Sequence, residues 1–187
     1  MKFKIICYFL LMNFSLSAQV KTTEKIFYDE NWKVTNKSNA YYYRIIDIGK
    51  NGKPIGTVKD YYITGELQWE GYLSHVDRYD NAKDIIEGRC IWYYKNGKKS
   101  RESNMVNNLQ NGKTTYWHEN GKKAREVDYV MGVLNRVWVD YYENGRLYRR
   151  FNFSSGKLDN KFLLNVTSLK DVKRFFLAFH PMRTQII

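Results

Sequence analysis

Tyr93-Tyr94-Lys95-Asn96-Gly97-Lys98 returns as Trp117-His118-Glu119-Asn120-Gly121-Lys122 and again as Tyr141-Tyr142-Glu143-Asn144-Gly145-Arg146, so that Gly97, Gly121 and Gly145 stand 24 residues apart. A fixed period of this length marks units that bury their apolar side against neighbouring copies. Asn-Gly between aromatic-rich runs is the strongest short hairpin signal, because a two-residue type I′ turn needs positive φ at both positions. Each unit therefore reads as a β-hairpin. An earlier copy, Tyr61-Tyr62-Ile63-Thr64-Gly65-Glu66, puts β-branched Thr64 where the others have Asn, which calls for a longer or bulged turn there.

Counting outward from a two-residue Asn-Gly loop sets Trp92 opposite Arg101, Tyr116 opposite Arg125 and Asp140 opposite Arg149. That gives two cation–π contacts and one ion pair on one face, shared with Tyr94, His118 and Tyr142. At the turns Glu119 would face Lys122, Glu143 would face Arg146, and Lys95 would face Lys98. A three-residue loop would instead slip the register by one and turn the second strand over. In either register, adjacent aromatics point to opposite faces. Tyr61, Tyr93, Trp117 and Tyr141 form one stripe, and Tyr62, Tyr94, His118 and Tyr142 form the other. Both stripes can simply pack, or one can line a ligand-facing groove.

Gly88, Gly112, the Tyr93-Tyr94 and Tyr141-Tyr142 pairs and the Asn-Gly turns resemble MORN repeats, in the bacterial variant of YwqK-like proteins often labelled antitoxin components. The resemblance covers about residues 54–160, with Arg136 in place of the unit glycine and His118 in place of the second Tyr. It implies an elongated sheet of stacked hairpins used for interaction, with no catalytic residues to carry over.

The chain has 187 residues, is 17% aromatic and carries a formal net charge of +12. One domain with a real core is expected from these values. Met1-Lys2-Phe3-Lys4, the apolar run from Ile5 to Leu16 and Ser17-Ala18-Gln19 have the layout of a secretory signal peptide over residues 1–18. The expected destination is the periplasm, the outer membrane or the medium of a Gram-negative bacterium. No cysteine sits where a lipoprotein signal would place it. Cys7 would leave with the leader, and Cys90 remains as a small buried hydrophobe without a disulfide partner. Basic surface with interleaved aromatics suits single-stranded nucleic acid, but export argues for another anion: a lipid headgroup, a glycan or an acidic protein. The same charge can also serve only to keep an edge-rich sheet soluble.

Residues 19–53 read as capping hairpins, with Lys25 to Tyr28 and Trp32 to Thr35 about Asp29-Glu30-Asn31 and a further turn at Gly49-Lys50-Asn51-Gly52-Lys53. Gly65 to Gly97 spans 32 residues, an expansion of eight over the period, which is taken up in a polar loop at 74–84, a usual place for a partner to bind. Residues 161–187 supply a last strand and an amphipathic helix over 168–179, with Leu169, Val172, Phe175, Phe176 and Phe179 on one side. That helix can cap the sheet or lie on a membrane surface.

His75, His118 and His180 belong to no catalytic motif, and His75 with Asp77, Asp80 and Asp84 matches no metal-ligand spacing. Glu70, Glu102 and Glu126 recur at the repeat positions and should form a ladder along the sheet. No catalytic, cofactor or metal site is expected, and no enzyme. The fold class expected is all-β with a short C-terminal helix. The expected function is an exported, non-catalytic interaction module for a protein partner or an anionic envelope surface. An antitoxin or immunity role and membrane-surface binding are the alternatives. The candidate partner-binding residues are Tyr62, Trp92, Tyr94, Arg101, Tyr116, His118, Arg125, Tyr142 and Arg149.

Overall fold

The computed structural model describes residues 21–164, which form one open antiparallel sheet of twelve strands with almost no helix. The strands are β1 (Lys21–Tyr28), β2 (Tyr42–Gly49), β3 (Pro54–Tyr62), β4 (Leu67–His75), β5 (Ile85–Tyr93) and β6 (Lys99–Val106). They continue as β7 (Leu109–Gln110), β8 (Gly112–Trp117), β9 (Lys123–Val130), β10 (Val133–Tyr141), β11 (Leu147–Ser154) and β12 (Lys157–Leu164). Each strand pairs with its neighbour in sequence, with β7 and β8 both against β6. The leader expected over 1–18 and the helix expected over 168–179 lie outside the described residues.

The hairpins stand where the 24-residue pattern puts them, but their turns are not the two-residue turns expected. The Tyr94 N–H donates to the Lys98 carbonyl at 2.9 Å and the Gly97 N–H to the Tyr94 carbonyl at 2.9 Å. The loop therefore has three residues, a type I turn closed by Gly97 at φ +77°, and Asn96 keeps negative φ. The same pair of bonds closes the turns at Gly65, Gly121 and Gly145. Thr64 is tolerated because its position never needs positive φ. Asn is favoured there for another reason: its side-chain oxygen accepts from the Lys98 N–H at 3.0 Å, with the corresponding bonds at Asn120 and Asn144 at 2.8 and 2.9 Å. The loop residues Glu119 and Glu143 consequently do not face Lys122 and Arg146 as expected. Lys122 instead reaches the Asn144 carbonyl at 3.0 Å.

A three-residue loop should have turned the second strand over, and it does not. Tyr93 opposes Lys99, but Trp92 opposes Arg101, so Ser100 is bulged out and the counting register is restored. Equal shifts follow at β3–β4, β8–β9 and β10–β11. True type I′ turns occur at the opposite edge of the sheet. There Asn107-Asn108, Met131-Gly132 and Ser155-Gly156 each have positive φ at both residues, again 24 residues apart.

One further position departs from ordinary backbone at the same period: Gly88 at φ +69°, Gly112 at +98° and Arg136 at +68°. The first two have no Cβ to strain, whereas Arg136 pays for the left-handed conformation. Arg136→Gly is expected to raise stability by about 1 kcal/mol, which thermal unfolding would register as a rise of about 2–4 °C. A fall would mean that the arginine side chain holds contacts worth more than the strain.

Most of the apolar interior lies on one face in two clusters. Ile46, Ile48, Val58, Trp69, Leu73, Cys90 and Met105 form the first. Val127, Trp138, Phe151 and Phe153 form the second. Cys90 is wholly buried, as expected, and burial pushes its thiol up to about 12. Between the clusters runs a polar seam, where Ser103 and Thr114 share a 2.8 Å hydrogen bond between buried hydroxyls.

Candidate functional site

Strand pairing brings one residue from each of nine strands into a single cross-sheet row. Arg44 opposes Asp60, Asp60 opposes Trp69, and Trp69 opposes Trp92. The row continues from Trp92 to Arg101, Tyr116, Arg125, Asp140 and Arg149. Nine strands thus contribute, with arginine alternating with an aromatic ring or aspartate from Trp92 to Arg149. The Arg101 guanidinium lies 3.3 Å from the Trp92 ring centre, and that of Arg125 lies 4.2 Å from Trp138 and 6.0 Å from Tyr116. Asp140, itself buried, accepts from Arg125 Nε at 2.6 Å and Arg149 Nε at 2.5 Å. The pairs Trp92 with Arg101, Tyr116 with Arg125 and Asp140 with Arg149 read from the sequence are present, and each is a segment of a longer chain of contacts.

The row is closed at its first end. Arg44, 2% exposed, donates through Nε and Nη2 to both oxygens of Asp60 at 2.7 and 2.8 Å, and through Nη1 to Asp84 at 2.5 Å. The ring of Tyr28 lies 5.4 Å from the same guanidinium. Burial pushes the Asp84 carboxyl up, against the pull of Arg44, and burial also pushes the Tyr28 phenol up. Asp84 ends the inserted loop, so a buried arginine on β2 fixes a segment forty residues later.

That loop is narrower and more tightly held than expected. Ser74 and His75 belong to β4, which leaves residues 76–84. Asp77 accepts from the N–H groups of Tyr79 and Asp80, each at 2.9 Å, and Asp80 pairs with Lys33 at 2.8 Å. Arg78 binds Glu24 through two bonds of 2.7 and 2.9 Å. The expected hairpin about Asp29-Glu30-Asn31 reduces to a tight turn with one bridge, Tyr28 to Val34, because β1 pairs with β2 instead.

The second aromatic stripe serves the turns. Tyr94 donates to the Trp117 carbonyl at 2.6 Å, and His118 Nε2 lies 3.1 Å from the Tyr141 carbonyl, one unit on in both cases. Asn96 and Asn120 donate to the Glu119 and Glu143 carbonyls at 3.1 and 2.8 Å. These recurring polar residues staple each turn to the next. Tyr62 packs beside Tyr42 at 5.7 Å, and Tyr142, 51% exposed, lies against Tyr148 at 4.7 Å.

The opposite face carries the glutamate ladder. Lys59, Glu70, Ile91, Glu102, Thr115, Glu126 and Val139 follow one another by direct pairing. Tyr93 donates to Glu70 at 2.6 Å and Tyr141 to Glu126 at 3.0 Å. Hydrogen bonds from Arg89, then from Lys99, hold the Glu102 carboxyl below its usual range. A lowered carboxyl pKa adds stability above the unfolded value of about 4.3, and that stability is lost as pH falls through the folded value. Glu102→Gln is therefore expected to flatten the fall in melting temperature between about pH 5 and pH 2. An unchanged acid limb would show that the pair contributes nothing. Among the described residues, no group of three or more His, Cys, Asp or Glu could hold a metal ion.

Of the nine candidates, Trp92, Arg101, Tyr116, Arg125 and Arg149 are brought together in the row, while Tyr62, Tyr94, His118 and Tyr142 stand apart at the turns. The buried end formed by Tyr28, Arg44, Asp60, Trp69 and Asp84 was not read from the sequence. One signal for it was present: Asp60-Tyr61-Tyr62 repeats Asp140-Tyr141-Tyr142. Asp140 finds its arginine nine residues on, at 149, where the earlier unit has Trp69, so Asp60 needs a cation from the preceding strand. Compared with known proteins, the chain matches no family model and no curated sequence.

Proposed function

We propose that the protein is an exported, non-catalytic interaction module of MORN-like hairpins, and that its ligand meets the middle of the cross-sheet row, from Trp92 to Arg125. One observation supports this reading. Arg44, Asp60, Trp69 and Asp140 are buried, whereas Trp92, Arg101, Tyr116 and Arg125 between them are partly exposed. There the aromatic faces and arginines alternate with no acid among them, a composition suited to a protein partner or to an anionic envelope component. The insert is fixed to the buried end of the same row through Asp84.

The test is retention from envelope extracts by the immobilised protein beginning at residue 19, with the retained component identified by mass spectrometry. Trp92→Leu/Tyr116→Leu keeps apolar bulk and removes both ring faces. Retention that weakens with salt and is lost in this variant, while its circular dichroism is unchanged, is the expected result. Absence of any retained component at low salt, or equal retention by the variant, overturns the proposal. Replacing Arg125 or Arg149 would be a poor test, because each holds the buried Asp140. An antitoxin or immunity role is the special case in which the retained protein is a toxin whose effect co-expression relieves.

A further inference from the structure

We infer that Arg101 is a receptor for a carboxylate of an acidic peptide segment, an inference that rests on the reading of the row as a binding surface. Four arginines stand in the row and three hold aspartates: Arg44 takes Asp60 and Asp84, and Arg125 and Arg149 share Asp140. Arg101 has no carboxylate within ion-pairing distance among the described residues. Its direct neighbours are two rings, Trp92 on β5 and Tyr116 on β8. The Arg101 Nε is buried without an acceptor, and so is the indole N–H of Trp69 on the other side of Trp92. Buried donors without partners are rare and call for a reason. Here two of them flank one ring at the point where the row opens.

The guanidinium is preorganised for such a ligand. Stacking 3.3 Å from the Trp92 centre fixes its plane and restricts its rotamers, while an arginine fork binds a carboxylate through two parallel bonds. The remaining members of the row show what fits at this depth: an aspartate side chain, reached by Nε or a terminal nitrogen at 2.5–2.8 Å. An acidic residue on a partner would extend the alternation of cation and acid already built into the row. The polar seam of Ser103 and Thr114 beside it supplies no competing charge.

The probe is a blocked peptide of four aspartates, titrated at low salt into the protein beginning at residue 19 and followed by isothermal calorimetry and by the side-chain N–H resonances of Arg101 and Trp69. Saturable binding that shifts both resonances is expected. Arg101→Gln and Arg101→Lys should each weaken it at least tenfold, since the lysine keeps the charge but loses the fork. Arg89→Gln removes the same charge from the opposite face, where Arg89 binds Glu102, and should change affinity less than twofold. The four-asparagine peptide should not bind. Equal weakening by Arg89→Gln and Arg101→Gln, or full binding by Arg101→Lys, overturns the fork at Arg101 while leaving an anion-binding module standing. Binding of the asparagine peptide overturns the carboxylate. If the aspartate peptide does not bind wild type, the inference fails, while retention of a different envelope component would still uphold the broader proposal. Melting temperatures of the variants close to wild type establish that lost binding is not lost folding.

Discussion

Arg44→Ala is expected to cost about 3–5 kcal/mol, because truncation leaves two buried carboxylates, Asp60 and Asp84, without their cation. For a chain of this size that is a fall of about 6–20 °C in melting temperature. The desolvation of three charges is compensated only while all three are present, so the loss exceeds that of any exposed pair, which is worth about 0–1 kcal/mol. The variant should also release the insert, since Asp84 accepts from both Arg44 and the Asp77 N–H. Amide exchange over 76–84 should then accelerate more than exchange over β9 and β10. A cost below about 1 kcal/mol would show that the guanidinium does not tie the insert to the sheet. Replacing the cluster by apolar residues of similar volume at 44, 60 and 84 should recover most of the loss, as is usual for buried ion clusters.

Gly71→Ala is expected to cost about 1–3 kcal/mol, the second-largest effect. The reason is contact, not backbone freedom. A Cβ at 71 would stand 2.6 Å from the Trp69 indole and 2.9 Å from the Cys90 Cβ, both in the interior. The indole lies across the glycine as across a gap in the sheet. It cannot swing away without leaving Trp92, whose ring centre is 6.3 Å distant. Urea unfolding measures the cost. Gly97→Ala provides a contrast: nothing lies within 4 Å of its would-be Cβ, and its expense comes from φ +77°. A neutral Gly71→Ala would mean that Trp69 repacks freely and that the start of the row is less fixed than its geometry indicates.

The recurring Asn-Gly stretches made the hairpins legible because a hairpin is a local decision, taken by a few residues about a turn. They did not reveal the type of turn. Asn-Gly suits both a two-residue I′ loop and a three-residue loop ending in glycine, and the earlier unit's Thr64 was the residue that discriminated. The pairs Trp92 with Arg101 and Asp140 with Arg149 were still read correctly from the wrong loop. An extra loop residue and a bulge at Ser100 or Tyr148 cancel in the count. The I′ turns carry no comparable signal, because Asn107-Asn108, Met131-Gly132 and Ser155-Gly156 share no composition beyond tolerance of positive φ at their second position.

Within the row, what hairpin counting could supply was the partner inside each unit. Links between units, such as Arg101 with Tyr116 or Arg125 with Asp140, depend on how one hairpin lies against the next, a matter for the whole sheet. Arg44 illustrates the limit most plainly. It sits in an irregular lead-in, sixteen residues before Asp60 and forty before Asp84, and no periodicity connects the three. The staples at Tyr94 and His118 show the converse. Their recurrence suggests a binding stripe, while much of it is explained by carbonyls of the adjoining unit.

The continuous row is tested most directly by interstrand backbone nuclear Overhauser contacts in the protein beginning at residue 19. Contacts linking Trp92 with Arg101, Arg101 with Tyr116, Tyr116 with Arg125 and Arg125 with Asp140 are the expected result. Contacts of Trp92 with Ser100 and of Tyr116 with Ala124 would place the second strand of each hairpin one residue out of step. The arginines would then face away from the rings, and the row would not exist.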